Sequence, residues 1–428
     1  MATHASEGAK LLQLIKKNHI QHPILAPDSF TSKSFRQTLA SLPKEQKNPG
    51  YYTNGLYVTT PMIIDMLNEK GQLFKHEFEN TFHEAPDWHA AFAYDTIALL
   101  VQAMRNPSFS GDSSQLTKDR RVIQQSLASL DSIHHAMEGV TGFVYFDKQG
   151  DSQKSVYTGI YKNQQIISTF TQFQMVPNIY EVPDYQNEIK NKHIIPFDDQ
   201  YMFKINTVYT GIEIKKINDI DMKNMTYHLD FYLWFRYKGN IHPERITFLN
   251  AAEKIELGPP VDREKDKNVS YEVYHIRGRF KADFIPGAYA YKERLVGVSF
   301  CHDERTRNNL IYVADVLGMR LESRSRMVEK LKKAKVLTPA SGYSINDFWV
   351  FQNIAEKASL GAPRYLKIQE GKVKFSQFNM GIRIQKNELS LRSMIRYEFV
   401  DHLLISNLVI FCLSVCFIEG KGSGGIAA

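Results

Sequence analysis

Three cysteines in 428 residues are too few, and too far apart, for a disulfide framework. Cys301 stands alone, and Cys412 and Cys416 share one apolar run near the end. No CxxC pair and no Cys/His zinc spacing occurs. The pair His134-His135 and the run His302-Asp303-Glu304 place neighbouring side chains on different sides of a helix or strand. Neither converges on an ion, so no metal and no other cofactor is expected. HExxH, GxSxG and P-loop patterns are absent. Gly420, Gly422 and Gly425 spell GxGxxG, but they open no helix, and the dinucleotide reading fails its context. No catalytic constellation is left, and the chain is not expected to be an enzyme. Met1 to Ile20 has no apolar core and is not a secretory signal. The formal net charge is +7 and the sequence pI about 9.0, yet lysines and arginines are spread along the whole chain. Without a dense basic block, nucleic-acid binding is not expected.

What is present is an ordinary globular balance, 43% hydrophobic and 23% charged, enough to bury real cores. The length suggests two or three domains. Residues 1–170 alternate helical and strand patterns. Trp88 to Met104 reads as a long helix with Phe92, Leu99 and Ala103 on its apolar side. Leu56 to Thr59, Gly142 to Phe146 and Val156 to Tyr161 read as strands, the last two joined by the turn Asp147-Lys-Gln-Gly-Asp151. Strands alternating with helices imply an α/β layer on a parallel sheet. Residues 171–200 are polar and broken by Pro177, Pro183 and Pro196, and read as a linker.

From 201 to 390 the pattern becomes β. In Tyr227 to Tyr237 the odd positions Leu229, Phe231, Leu233, Phe235 and Tyr237 fall on one face. His228, Asp230, Tyr232, Trp234 and Arg236 fall on the other. Strict period two is the mark of a half-buried antiparallel strand. Similar runs at Tyr271 to Phe280, Leu295 to Phe300, Phe348 to Gln352, Phe375 to Phe378 and Ile382 to Gln385 suggest a sandwich. Its prediction is that Phe231, Leu233 and Phe235 are buried between two sheets. Leu403 to Ile418 is an uncharged apolar run. Extended to 399–418 it approaches the ~20 residues of a transmembrane segment.

Two resemblances are carried by particular stretches. Asn54-Gly-Leu-Tyr-Val-Thr-Thr-Pro61, Ala93-Tyr94-Asp95 with the Thr-Ile-Ala-Leu-Leu that follows, and Gly139-Val-Thr-Gly-Phe-Val-Tyr-Phe-Asp-Lys-Gln-Gly150 resemble the second lobe of periplasmic solute-binding proteins of the branched-chain amino-acid type. That family's first lobe precedes this one, so the resemblance implies a truncated start, with one face of the cleft missing. Val208 to Tyr237, and Phe375 to Lys386 running into the apolar segment, resemble the extracellular β-sandwich of prokaryotic pentameric ligand-gated ion channels. In that family's FPFD-x-Q-x-L loop this chain has Ala288-Tyr-Ala-Tyr-Lys-Glu-Arg-Leu295, where only the leucine survives.

The expected fold is therefore multi-domain. A periplasmic-binding-protein type I-like α/β lobe (1–170) and a linker (171–200) precede an antiparallel β-sandwich (201–390) and one C-terminal transmembrane segment (399–418). The resemblances imply ligand contacts at Asn54, Tyr57, His89, Tyr94 and Asp95 in the lobe, and at Trp234 and Tyr237 in the sandwich. Asn54 can offer an ammonium group only a carbonyl acceptor, and turn statistics favour reading it as a turn asparagine before Gly55. Asp95 reads equally as a solvated helix residue. The aromatics near the strand end suit a cation, though Trp234 also suits a subunit interface.

The function expected is the extracytoplasmic small-molecule sensing region of a membrane receptor or channel-like protein, for an amino acid or small amine. A homo-oligomer is possible, and the location is the cell inner membrane with the large domains periplasmic. The rival readings are the solute-binding component of an amino-acid importer and an enzyme of unknown type. Arg383, Lys386, Arg392 and Arg396 before the apolar run, against Lys421 after it, would by charge alone put the large domains in the cytoplasm. The family topology is preferred because long domains translocate largely regardless of charge.

Overall fold

The computed structural model describes residues 3–387, apart from 133–134, 153, 177, 199, 286–292, 322, 339–340, 363–364 and 366–370. The expected transmembrane segment at 399–418 lies outside the described residues, as does most of the Ala288–Leu295 loop. Among the described residues no helix is long and apolar enough to cross a membrane.

The chain is multi-domain, α/β at its start and rich in β-sheet after it. Its first part holds α1 (Ala5–Lys17), β1 (Leu25–Ala26), α2 (Lys33–Ala40), α3 (Pro43–Lys47), β2 (Tyr57–Thr60), α4 (Glu69–Phe82), α5 (Trp88–Met104) and α6 (Leu116–Ala128). β3 (Met137–Gly139), β4 (Gly142–Val144), β5 (Tyr157–Lys162) and β6 (Gln165–Ser168) follow. Ser32, Asn68 and Asp87 cap α2, α4 and α5 with their side chains, each accepting a free amide of the first turn.

The sheet of this lobe, ordered β1-β2-β5-β6, is not parallel as its alternating pattern predicts. Only β1 and β2 run parallel; β2–β5 and β5–β6 are antiparallel. The cause is local. Asn163 and Gln164 both take positive φ, 49° and 63°, which is the two-residue turn that matches strand twist and forces a hairpin. Gly142 to Phe146 does not join this sheet either. β4 pairs only with β3, and the following turn is closed by the Asp147 carboxylate, which accepts from the amides of Gln149 and Asp151.

Residues 171–200 are more than a linker. β7 (Thr171–Met175), α7 (Tyr185–Lys190) and β8 (Ile194–Phe197) lie there, and both strands pair with the 22-residue β9 (Gln200–Asp221). Polar composition hides enough apolar anchors: Val176 and Ile194 are buried with Phe203, Ile205 and Tyr209 of β9. Pro196 sits in β8, a four-residue strand beside β9, at a length and position where a missing donor is tolerated.

The remaining elements are β10 (Thr226–Lys238), β11 (Ile246–Phe248), β12 (Asp262–Asp266), β13 (Val269–Lys281), β14 (Glu293–His302), β15 (Leu310–Ala314), α8 (Arg324–Lys333), β16 (Tyr343–Ala358) and β17 (Lys372–Lys386). They form two sheets, β12-β13-β10-β9-β15 and β11-β14-β17-β16. Every pairing is antiparallel except β15 with β9. Leu229, Phe231, Leu233 and Phe235 of β10 are fully buried against Val298 and Phe300 of β14 and Phe378 and Met380 of β17. The period-two reading of this strand thus gives its inner face. The edge strand β12 reads Asp-Arg-Glu-Lys-Asp and is exposed throughout, a charged edge that resists pairing with other chains.

β15 explains how the two parts join. All five of its residues, Leu-Ile-Tyr-Val-Ala, are buried. Leu310, Tyr312 and Ala314 face the sandwich core, while Ile311 and Val313 face a second core shared with Ile167 of β6 and Phe203 of β9. A strand covered on both faces reads as a continuous apolar run. The edge strand β16 is met by the lobe as well: the Gln352 amide donates to the Leu67 carbonyl at 3.2 Å.

Candidate functional site

Between the lobe and the sandwich lies a cleft of about 1220 Å³. The lobe supplies the start of α2 with Lys33 and Arg36, the segment 60–65 after β2, the outward face of α4, and Asp87-Trp88 at the start of α5. The sandwich supplies Arg324 to Met327 of α8 and Phe348 to Val350 of β16. Clefts at domain junctions are the commonest small-molecule sites.

The charges of the cleft are mostly committed. Lys33 Nζ pairs with Glu84 at 2.7 Å, and Lys75 with Glu79 at 2.7 Å. The Asp87 carboxylate accepts from the amides of Ala90 (3.1 Å) and Lys33 (3.3 Å) and meets the His89 ring at 3.4 Å. Burial opposes its ionisation, but these partners together hold it below the ordinary value. Arg324 is held by Asp347 at 3.3 Å; burial lowers its pKa, and Asp347 works against that. Burial, then the Arg324 charge, lowers His76. Arg36 is different. It is half-buried, and its guanidinium has no hydrogen-bond or ion-pair partner among the described residues.

Two tryptophans line the cleft, Trp88 and Trp349, and the indole N–H of each is buried without a hydrogen-bond partner. The guanidinium groups of Arg324 (5.7 Å) and Arg383 (5.4 Å) both lie over the Trp349 ring. Trp88 is braced by His89, stacked on it at 3.6 Å, and by the edge of Phe92.

Asp65 is the buried acid of the cleft, 2% exposed. It accepts from the Ser168 amide at 2.8 Å and the Ser168 hydroxyl at 2.5 Å. Burial raises its pKa to about 7; the Ser168 bonds oppose this and Asp315 adds to it. A chain of contacts runs on from there into the sandwich. Tyr209 donates to the Ser168 carbonyl, and its ring lies 4.4 Å from the Arg236 guanidinium. Arg236 pairs with Asp315 at 2.7 Å, and Trp234 Nε1 donates to the same carboxylate at 3.0 Å.

The residues singled out in the sequence are not brought together, and none of them lines the cleft. Asn54 is a turn residue: its Oδ1 accepts from the Asn163 amide at 2.8 Å and ties the entry of β2 to the β5–β6 hairpin. Tyr57 opens β2 and is exposed. His89 does not line the cleft itself; it contacts the lining residues Trp88 and Asp87. Tyr94 faces solvent, its ring 5.0 Å from that of Phe74.

Asp95 is not a solvated residue, and its carboxylate is engaged within the lobe. It is buried and accepts from the amides of Val140 (2.7 Å) and Thr141 (3.0 Å) and from the Thr141 hydroxyl (2.5 Å). It thereby clamps the β3–β4 turn to α5. A Cβ on Gly139 would lie 2.4 Å from that carboxylate, so the turn needs glycine there. Two of the stretches that carry the lobe resemblance therefore meet through one side chain.

Trp234 and Tyr237 do not form an aromatic box. Trp234 packs flat over Gly211, where a Cβ would come within 2.1 Å of the indole. At this end of the outer face Trp234 and Arg236 are engaged with Asp315, and Arg236 with the Tyr209 ring. Tyr237 lies at the end of the sandwich core and borders a separate hollow of about 350 Å³ with Glu244, Arg263 and Glu272. Burial, then the charges of Glu272 and Glu244, push its hydroxyl up to about 12. Among the described residues no group of three or more His, Cys, Asp or Glu side chains gathers that could hold a metal ion.

The residues that sequence reasoning missed are Arg36, Asp65, Trp88, Arg324 and Trp349. Asp65 had a signal: it is the one charge in Met62-Ile-Ile-Asp-Met-Leu67, and an acid in an apolar run is commonly buried with a purpose. The chain has three tryptophans, and two of them line the cleft.

No protein-family model matches the sequence, and no curated protein does. Among solved structures, a leucine binding protein from Thermotoga maritima MSB8 is similar over 39% of this chain and 42% of its own, at 19% identity and a TM-score of 0.31. The similar region thus spans under half of that protein.

Proposed function

We propose that this chain is the extracytoplasmic, small-molecule-sensing region of a membrane receptor, and that its ligand sits in the cleft between lobe and sandwich. The observation that carries this reading is the double origin of the cleft walls. A ligand touching Arg36 and Trp88 on one side and the α8–β16 corner on the other favours one placement of the two parts. Only such differential affinity can turn binding into a signal. The contacts from Asp65 through Ser168 and Tyr209 to Arg236 and Asp315 give that signal a route into the sandwich.

The balance of charges favours an amino acid over an amine without a carboxylate. Glu79, Glu84 and Asp87 each have a partner, and Asp65 is held by Ser168. Among the described residues of the cleft, the Arg36 guanidinium is without an ion-pair partner, and its fork matches a carboxylate. A binding role, with no catalysis, agrees with the lining. No serine, threonine or cysteine hydrogen-bonds to a histidine among the described residues of the cleft. The membrane location, with lobe and sandwich outside the cytoplasm, rests on the apolar run Leu403 to Ile418 and on the two resemblances.

The test is calorimetric titration of the full chain with amino acids and with the amines made by removing their carboxylates. An amino acid should bind, its decarboxylated partner should bind at least about tenfold more weakly, and R36Q should erase that difference. Equal binding of both, or no effect of R36Q, would show that Arg36 is not the anchor.

A further inference from the structure

The fold gathers lysines that the sequence keeps apart. Helix α8 begins in the cleft at Arg324 and buries Met327, Val328 and Leu331 in the sandwich core. Its last turn carries Lys330, Lys332 and Lys333, and Lys335 follows. Just beyond, the Val336 carbonyl accepts from the Ile217 amide of β9 at 2.9 Å. That bond sets Lys215 and Lys216 beside the end of the helix. All six lysines are exposed. Lys215 pairs with Glu213 at 3.4 Å; the other five have no ion-pair partner among the described residues.

The chain leaves the sandwich at this same end. Leu337 bridges to Ile217, and Gly342, five residues on, accepts from the Asn387 amide at 2.6 Å just past β17. Five residues span at most about 18 Å. The β9–β10 turn closes this end as well. The Ala282 amide donates to Met225 at 2.8 Å, and Asp283 to Leu295, which pairs with Arg383 of β17. Lys223 and Lys281 stand exposed here. Two acids of this end are engaged: Asp221 accepts from the amides of Lys223 and Asn224, and Asp283 from that of Leu295. In the sequence the apolar run begins at Leu403, sixteen positions after Asn387, with Arg392 and Arg396 between.

Cations in a last helical turn favour the helix itself. That accounts for Lys330, Lys332 and Lys333. It does not account for Lys335, past the helix, or for Lys215 and Lys216 on a strand. We propose that this lysine collar rests against the anionic headgroups of a lipid bilayer. The inference rests on the membrane reading of the apolar run made under the proposed function. Anionic lipid attracts lysines that lie within a Debye length of its surface, about 10 Å at 0.1 M salt. The six cations are lysines throughout, hydrated point charges on flexible stems, which suit a fluid layer of headgroups. A nucleic acid, with its phosphates in fixed places, is better gripped by arginine forks. Resting there, the collar holds the exit end of the sandwich at the surface. The cleft lies at the other end of α8.

Vesicle flotation tests this, with the full chain diluted out of detergent onto preformed vesicles. One set is phosphatidylcholine alone, the other equal parts phosphatidylcholine and phosphatidylglycerol. Each lysine near an anionic surface is worth about fivefold in binding. With about half of the collar in contact, the wild type should prefer the anionic vesicles about a hundredfold at 0.1 M salt and lose the preference near 1 M. K332Q/K333Q/K335Q should cut the preference at least about tenfold, with binding to neutral vesicles and the melting temperature unchanged. K10Q/K17Q/K47Q, which removes three exposed lysines of the lobe, should leave it as it was. Equal binding to both vesicle sets, a preference indifferent to the collar variant, or an equal loss in the lobe variant would each overturn the proposal. So would equally tight binding of single-stranded DNA that the collar variant abolishes, since a soluble polyanion would then be the partner. Collar-dependent binding to anionic vesicles with none to neutral ones would keep the surface and remove the membrane reading of the apolar run.

Discussion

Two aspartates show how burial turns one residue type to different ends. Asp65 is enclosed with a pKa of about 7 against an ordinary 3.8. Between about pH 4 and pH 7 the native chain holds a proton that the unfolded chain has released. Its contribution to stability therefore falls as pH rises through that window, by roughly 4 kcal/mol for a shift of about three units. D65N removes the titration. It should raise the melting temperature at pH 8 far more than at pH 5, which melts across that range would read out. An equal effect at both pH values would place the proton elsewhere. Asp95 acts through its three hydrogen bonds. D95A leaves the buried Val140 amide and the half-buried Thr141 amide without acceptors and should cost about 2–4 kcal/mol of stability, measured by denaturant unfolding. A loss under about 0.5 kcal/mol would mean that the β3–β4 turn holds without the clamp. Neither role was legible in the residue alone. Asp95 stood out by its neighbours Tyr94 and Ala93, but what it binds, the Val140–Thr141 turn, lies 45 residues away.

At the scale of elements, legibility follows the length of the pattern. β10 repeats with period two over eleven residues, and its inner face is read correctly down to Phe235. L233A should cost about 2–5 kcal/mol, whereas Y232A on the other face should cost about 1 or less; chemical denaturation of the two variants makes the comparison. Similar losses at both positions would mean that the outer face is as tightly packed as the core. α5 is read to its termini because an apolar helix has no competing interpretation over 17 residues. The direction of β6 departs from the parallel expectation because two residues, Asn163 and Gln164, close a hairpin in a stretch with no strong turn signal beyond polarity. Residues 171–200 were misread because strands of four or five residues carry too few positions for a period to show.

For the whole molecule, the cleft was out of reach of the sequence because it is made where two parts meet. Arg36 and Trp88 are 52 positions apart, and Arg324 and Trp349 come from the other part of the chain. The packing of β15 between two cores and the cap of Leu67 on β16 help to set these walls face to face. The central claim is that one ligand touches both walls. Hydrogen–deuterium exchange of the full chain, with and without the amino acid that most raises its melting temperature, tests this most directly. Slowed exchange should appear together in residues 31–36 and 60–65 of the lobe and in 323–327 and 348–350 of the sandwich. Protection confined to the turn at Asn54 and Tyr57, or to the hollow beside Tyr237, would contradict it.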